Sequence, residues 1–161
     1  MFNALPQNPD KSLHYHELAT QLRGLFTGES DWLANSAQFA AFLFHSLPRL
    51  NWAGFYLLKD HMLVVGPFQG HPACVRIALG KGACGVSAEK REAVIIEDVQ
   101  SFPGYIACDD MTRSEIVLPM IKHNRLIGVL DLDSPVIGRF DETDRQGLEV
   151  LLDILLDMSA I

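Results

Sequence analysis

Between Pro48 and Trp52 the spacing of apolar residues changes from every third or fourth position to every second, and it returns to a long helical interval only after Asp141. Before the change, Leu13, Leu18, Leu22 and Leu25 predict a helix from 12 to about 26, with Ser12 as candidate N-cap and Gly28 as its stop. A second helix follows Ser30 or Asp31 and places Leu33, Ala37, Ala40, Phe44 and Leu47 on one face until Pro48. Short strands then run from Trp52 to Leu58, Met62 to Val65, Cys74 to Ala78, Ala93 to Ile96, Ile116 to Lys122 and Leu126 to Leu132. One short helix, about 86–91, interrupts them, and Asp141 or Thr143 caps a final helix carrying Leu148, Leu151, Leu152, Leu155 and Met158. Helices do not alternate with strands, so a doubly wound parallel sheet is disfavoured and an antiparallel α+β layer structure is predicted.

The chain has 161 residues, 48% of them apolar, which suits a single domain over 12–161 behind a flexible 1–11 segment rich in Pro and Asn. Its 13 Lys and Arg against 20 Asp and Glu argue against nucleic acid, whose binding draws on basic side chains. Its apolar runs, such as Phe39-Ala40-Ala41-Phe42-Leu43-Phe44, are far shorter than the roughly 18 residues needed to cross a membrane. The first residues lack the basic and apolar regions of a signal peptide. Three cysteines are too few for a secreted disulfide framework, so a cytoplasmic location with three free thiols is expected. There is no C-x-x-C pair and only His14 and His16 lie close together, so no metal site is expected.

Several residues could carry chemistry. Along the last strand Ile127, Val129, Asp131 and Asp133 share one face, which puts two carboxyls on an apolar surface. Desolvation and mutual repulsion would raise their pKa values and leave one protonated as a general acid; alternatively the strand ends at Leu130 and both aspartates cap a loop. Glu115, just before Ile116, is placed to reach the same pocket mouth. Trp52, Gly54 and Tyr56 share a face, with Gly54 leaving a recess about one side chain wide between two aromatic rings. The 97–114 stretch has no periodicity and reads as a lid. Cys84 and Cys108 fall in expected loops and Cys74 borders one. Cys108 precedes Asp109 and Asp110, whose charges disfavour a thiolate, so as a nucleophile it needs a substrate activated by an acid or itself positively charged.

Five segments in order, Asn51-Trp52-Ala53-Gly54-Phe55-Tyr56, Gly66-Pro67-Phe68-Gln69-Gly70, Gly80-Lys81-Gly82-Ala83-Cys84-Gly85, Ala107-Cys108-Asp109 and Leu130-Asp131-Leu132-Asp133-Ser134, resemble the free methionine-(R)-sulfoxide reductases, enzymes built on a GAF domain. The likeness extends from about 32 to 155 and keeps all three cysteines. It implies a GAF-like antiparallel sheet with N- and C-terminal helices on one face and a loop-covered pocket on the other. It implies that Cys108 attacks the sulfoxide sulfur of free methionine-(R)-sulfoxide, that Cys84 or Cys74 resolves the resulting sulfenic acid as a disulfide, and that thioredoxin reduces it. On this resemblance Glu115, Asp131 and Asp133 hold the substrate ammonium and protonate the sulfoxide oxygen, Trp52 and Tyr56 wall the methyl-sulfur end, no cofactor is bound, and a homodimer is expected. Two other readings fit the residues: a non-catalytic GAF sensory module that binds a small molecule, and a thiol peroxidase in which only Cys108 matters.

Overall fold

Asp60 and His61 adopt left-handed backbone (φ 47° and 62°), as do His123 and Asn124 (φ 49° and 61°). Paired left-handed residues match the twist of antiparallel strands and reverse the chain in two residues. The first pair joins β1 (Trp52–Lys59) to β2 (Met62–Gly70), and the second joins β5 (Ser114–Lys122) to β6 (Arg125–Ser134). With the short strands β3 (Arg76–Ala78) and β4 (Val94–Ile96) they build one six-stranded antiparallel sheet, ordered β3-β2-β1-β6-β5-β4. The computed structural model describes residues 2–161; Met1 of the expected 1–11 segment lies outside them.

Helices α1 (Lys11–Leu25), α2 (Trp32–Ser46) and α4 (Glu142–Met158) cover one face of the sheet, where Leu18, Phe39, Leu43, Leu148 and Leu155 meet Phe55, Leu118, Leu130 and Leu132. The opposite face carries α3 (Gly82–Lys90) and the loop 97–113, packed on Trp52, Tyr56, Val117 and Val129. Strand alternation therefore divides one sheet between a helix-covered core and a second, smaller apolar layer. The predicted α+β fold, with helices on one face and a loop-covered pocket on the other, is the one observed.

Several local expectations change. Asp10, not Ser12, caps α1 by accepting from the Leu13 N–H at 3.1 Å. Leu13 is 46% exposed and Leu33 is 65% exposed; the buried faces are Tyr15, Leu18, Ala19 and Leu22 in α1, and Ser36, Phe39, Ala40 and Leu43 in α2. Helix α2 is apolar almost all round, so its periodicity did not select a face. Ile127 packs on the helical side rather than beside Val129, because Met120 pairs with Gly128 and Ile121 with Leu126, leaving Ile127 in a bulge. Among the described residues the N-terminal segment carries no helix or strand before α1, but it is tethered: the Phe2 ring meets Phe42 edge-on at 5.7 Å, and the Asn3 carbonyl accepts from Gln21 at 2.7 Å.

Candidate functional site

Strand register assembles the carboxyls. Trp52 pairs with Asp133 and Gly54 with Asp131 across β1 and β6, while Glu115 of β5 pairs with Asp133 from the other side. Asp131 and Asp133 therefore lie within β6, pointing away from the helical core, and the alternative in which they cap a loop is not realised. All three are buried, Glu115 included, although an acid at a strand start is usually solvated. Loss of water raises their pKa values well above the usual carboxyl range, and repulsion among them adds to it: Asp131 on Glu115, Asp133 on Asp131, Glu115 and Asp109 on Asp133. One oxygen each of Asp131 and Asp133 has no hydrogen-bond partner. Such a site can donate a proton from a neutral carboxyl and can accept from a cationic ligand.

The aromatic wall differs from the expected recess. Trp52 and Tyr56 line the pocket, with ring centroids 5.7 Å apart and stacked. The space at Gly54 is already taken, because a Cβ there would lie 2.3 Å from Phe68 Cβ; Phe68 stacks on Trp52 at 5.2 Å. Gly54 thus admits a neighbouring strand, not a ligand. The two polar tips have a second use: Trp52 Nε1 donates to the His71 carbonyl at 3.2 Å and the Tyr56 hydroxyl to the Cys74 carbonyl at 3.0 Å, so both rings pin the loop that carries Cys74.

The expectation of three free thiols is overturned. Cys74 and Cys108 are joined, with Cα atoms 5.3 Å apart, a separation that two facing loops can bridge without moving. Only Cys84 is free. It lies not in a loop but inside α3, where Gly85 lets the helix press on β3: a Cβ at Gly85 would sit 2.3 Å from the Ala78 carbonyl. The Cys84 thiol is fully enclosed, 4.0 Å from Glu115 Oε1, and burial followed by the Asp131 and Glu115 charges pushes its pKa well up. Cys84, Glu115 and Asp131 bring their ligand atoms within 4.8 Å of one another, the metal-ligating cluster found among the described residues. Burial favours the protonated form of all three, a poor donor set for a metal ion, whose ligands must be deprotonated.

The loop 97–113 closes the pocket as the aperiodic stretch predicted, with only a short 3₁₀ turn at Val99–Ser101. Sequence reading missed Tyr105, which lines the cavity with its hydroxyl facing Glu115, and Asp109, which lines it beside Cys108. The available signal for Tyr105 was a lone tyrosine inside that stretch. With the two cysteines joined, the cavity measures about 20 Å³, room for about one water.

Comparison with known proteins agrees with this geometry. A family model described as GAF domain matches residues 34–155. A free methionine-R-sulfoxide reductase of Escherichia coli is 49% identical over 143 residues, covering 89% of this chain and 87% of the relative. A crystal structure of the free methionine-R-sulfoxide reductase of Neisseria meningitidis in complex with its substrate superposes with a TM-score of 0.92 at 41% identity, over 98% of this chain and 95% of that one. A structure described as a putative GAF sensor protein from Burkholderia vietnamiensis gives a TM-score of 0.90 at 52% identity, over 93% of this chain and 96% of that one.

Proposed function

Since the chain belongs to the GAF-domain family and, within it, to the free methionine-R-sulfoxide reductases, we propose that it reduces free L-methionine-(R)-sulfoxide to methionine through a Cys108 sulfenic acid and a Cys74–Cys108 disulfide. The single observation that carries this reading is a cysteine of the lid, Cys108, facing three buried carboxyls of raised pKa and joined to a second cysteine.

In this reading a free amino acid enters the acidic pocket, and its ammonium donates to the unpartnered oxygens of Asp131 and Asp133. A neutral carboxyl among Glu115, Asp131 and Asp133 donates a proton to the sulfoxide oxygen, making sulfur electrophilic and compensating for a nucleophile that is mostly thiol. The Cys108 thiol sulfur attacks the protonated sulfoxide sulfur and gives its proton back to the carboxylate. The hydroxyl then passes from the substrate sulfur to the Cys108 sulfur as the bond between the two sulfurs breaks. Methionine thus leaves as the thioether, reduced by two electrons, and Cys108, oxidised by two, keeps the oxygen as a sulfenic acid. The Cys74 thiol displaces that oxygen as water, forming the disulfide. An external dithiol, thioredoxin in the cytoplasm, takes the disulfide over and returns both thiols. Cys74 is the better resolving thiol because it is the one bonded to Cys108, whereas Cys84 faces Glu115 from inside α3. A pocket walled by sheet, α3 and lid has no room for a polypeptide on either side of the sulfoxide, which favours the free amino acid. Assembly as a homodimer is part of the proposal.

An epimer-resolved assay with thioredoxin or dithiothreitol tests it. The R epimer of free methionine sulfoxide is consumed and the S epimer is left; Cys108→Ser abolishes turnover, and with thioredoxin as reductant Cys74→Ser releases about one methionine per chain and then stops, while dithiothreitol, which reduces a sulfenic acid directly, restores its turnover. Full turnover by Cys108→Ser refutes the mechanism. Ligand binding with no thiol consumed would favour a sensory role instead.

A further inference from the structure

Asn51 touches none of the three carboxyls with its side chain, yet it ties the Cys108 segment to the sheet. It immediately precedes β1, and its N–H donates to the Asp133 carbonyl at 3.0 Å, fixing its backbone beside the acid cluster. Its side-chain amide donates to Asp109 Oδ2 and to Thr112 Oγ1, each at 3.0 Å. Asp109 follows Cys108 in the chain and lines the pocket; its other oxygen accepts the Met111 N–H at 2.9 Å. That backbone bond, with the Asn51 amide, holds the Asp109 carboxyl below the usual range, so the acceptor is a carboxylate and the bond is charge-assisted. His71 also approaches Asp109, at 3.7 Å, but its side chain is 79% exposed and its hold on the loop is weak.

The proposed reaction makes this contact matter at one particular stage. In the oxidised chain the lid is held at Cys108 by a covalent bond to Cys74. Once the bond is reduced, that tether is gone just when Cys108 must be aimed at a sulfoxide. The amide of Asn51, one and four residues' distance from Cys108 along the loop at Asp109 and Thr112, then remains as the side-chain tether nearest Cys108, beside the backbone bond from the Arg113 N–H to the Ser134 carbonyl. Resting on the function proposed above, we propose that Asn51 is a positioning residue that holds Cys108 over the acid cluster while the Cys74–Cys108 bond is open.

Three variants and two readouts test this. In Asn51→Ala, kcat falls by roughly 10- to 100-fold, the cost of misplacing a reacting atom by about 1 Å, with KM changed far less. In Asn51→Asp, a carboxylate meets the Asp109 carboxylate at neutral pH and the clamp is repelled; at lower pH the introduced acid becomes neutral and can donate to Asp109. The kcat of Asn51→Asp divided by that of the wild-type chain therefore rises as pH is lowered from about 8 to about 5, whereas the same ratio for Asn51→Ala stays flat. A merely structural role gives no such recovery. Asn51→Ser, with one short donor, falls between wild type and Ala. The second readout needs no methionine sulfoxide: the effective concentration of the Cys74–Cys108 pair, titrated against a glutathione redox buffer, drops several-fold in Asn51→Ala. An inactive wild-type chain would overturn the function and leave this second readout decisive. The positioning role is refuted if Asn51→Ala keeps kcat and effective concentration within twofold of wild type, or if the Asn51→Asp ratio is flat with pH.

Discussion

Reducing the Cys74–Cys108 bond should lower the thermal stability of the chain by an amount that follows from where the two cysteines lie. The crosslink spans a sequence separation of 34. In the chain-entropy treatment a loop of that length removes roughly 13 cal/mol/K from the unfolded ensemble, about 3.8 kcal/mol at 25 °C. For a chain of 161 residues the unfolding entropy near the midpoint is about 0.34 kcal/mol/K, so the shift in Tm is about 11 °C. The native side contributes little strain relief, because the 71–75 loop keeps its anchors at Trp52 and Tyr56 after reduction. The assay is a thermal melt of the oxidised chain with and without dithiothreitol, beside the same pair for Cys74→Ser and Cys84→Ser. Wild type and Cys84→Ser should drop by roughly 11 °C on reduction, and Cys74→Ser should melt at the lower temperature with or without reductant. A wild-type shift under about 2 °C, or a reductant-sensitive Cys74→Ser, would sink the assignment of the crosslink to these two cysteines.

Two further outcomes follow from the pocket walls. Because burial and mutual repulsion raise the folded-state pKa values of Glu115, Asp131 and Asp133, their contribution to stability is fully present below their unfolded values and is lost as pH rises through the folded ones. Urea unfolding of the substrate-free chain should therefore weaken from about pH 4 upward, and Asp131→Asn should flatten that slope and gain about 1 kcal/mol at neutral pH while losing activity; a steeper slope would contradict the assignment. Gly54→Ala should cost about 1–3 kcal/mol in the same assay, since the added Cβ meets the Phe68 backbone and Pro67 carbonyl as well as Phe68 Cβ at 2.3 Å; a neutral result would mean β2 is free to yield.

The sequence carried most of the architecture because it is local information. Alternation along β6 put Asp131 and Asp133 on one face, and a run without periodicity marked the lid. What needed the third dimension was pairing between segments. Nothing in the spacing of Cys74, Cys84 and Cys108 says that the outer two meet, because the answer depends on which loops face each other across the sheet. The recess at Gly54 failed for the same reason: the missing side chain is visible in the sequence, but Phe68, which fills the space, comes from the next strand. Gly80, Gly82 and Gly85 around Cys84 have the look of turn residues in a sequence, whereas Gly85 serves close contact between α3 and β3.

The cavity of about 20 Å³ beneath the Cys74–Cys108 link would give the proposed cycle a direction. In the proposed cycle a cavity this small leaves no place for a whole amino acid beside the crosslink, so bond closure would expel methionine and bar the next sulfoxide until a reductant has acted. Substrate and reductant then never compete for one form of the protein. Steady-state rates measured against both should give parallel double-reciprocal lines, the mark of a ping-pong sequence, and excess sulfoxide should not slow the reductive half of the cycle.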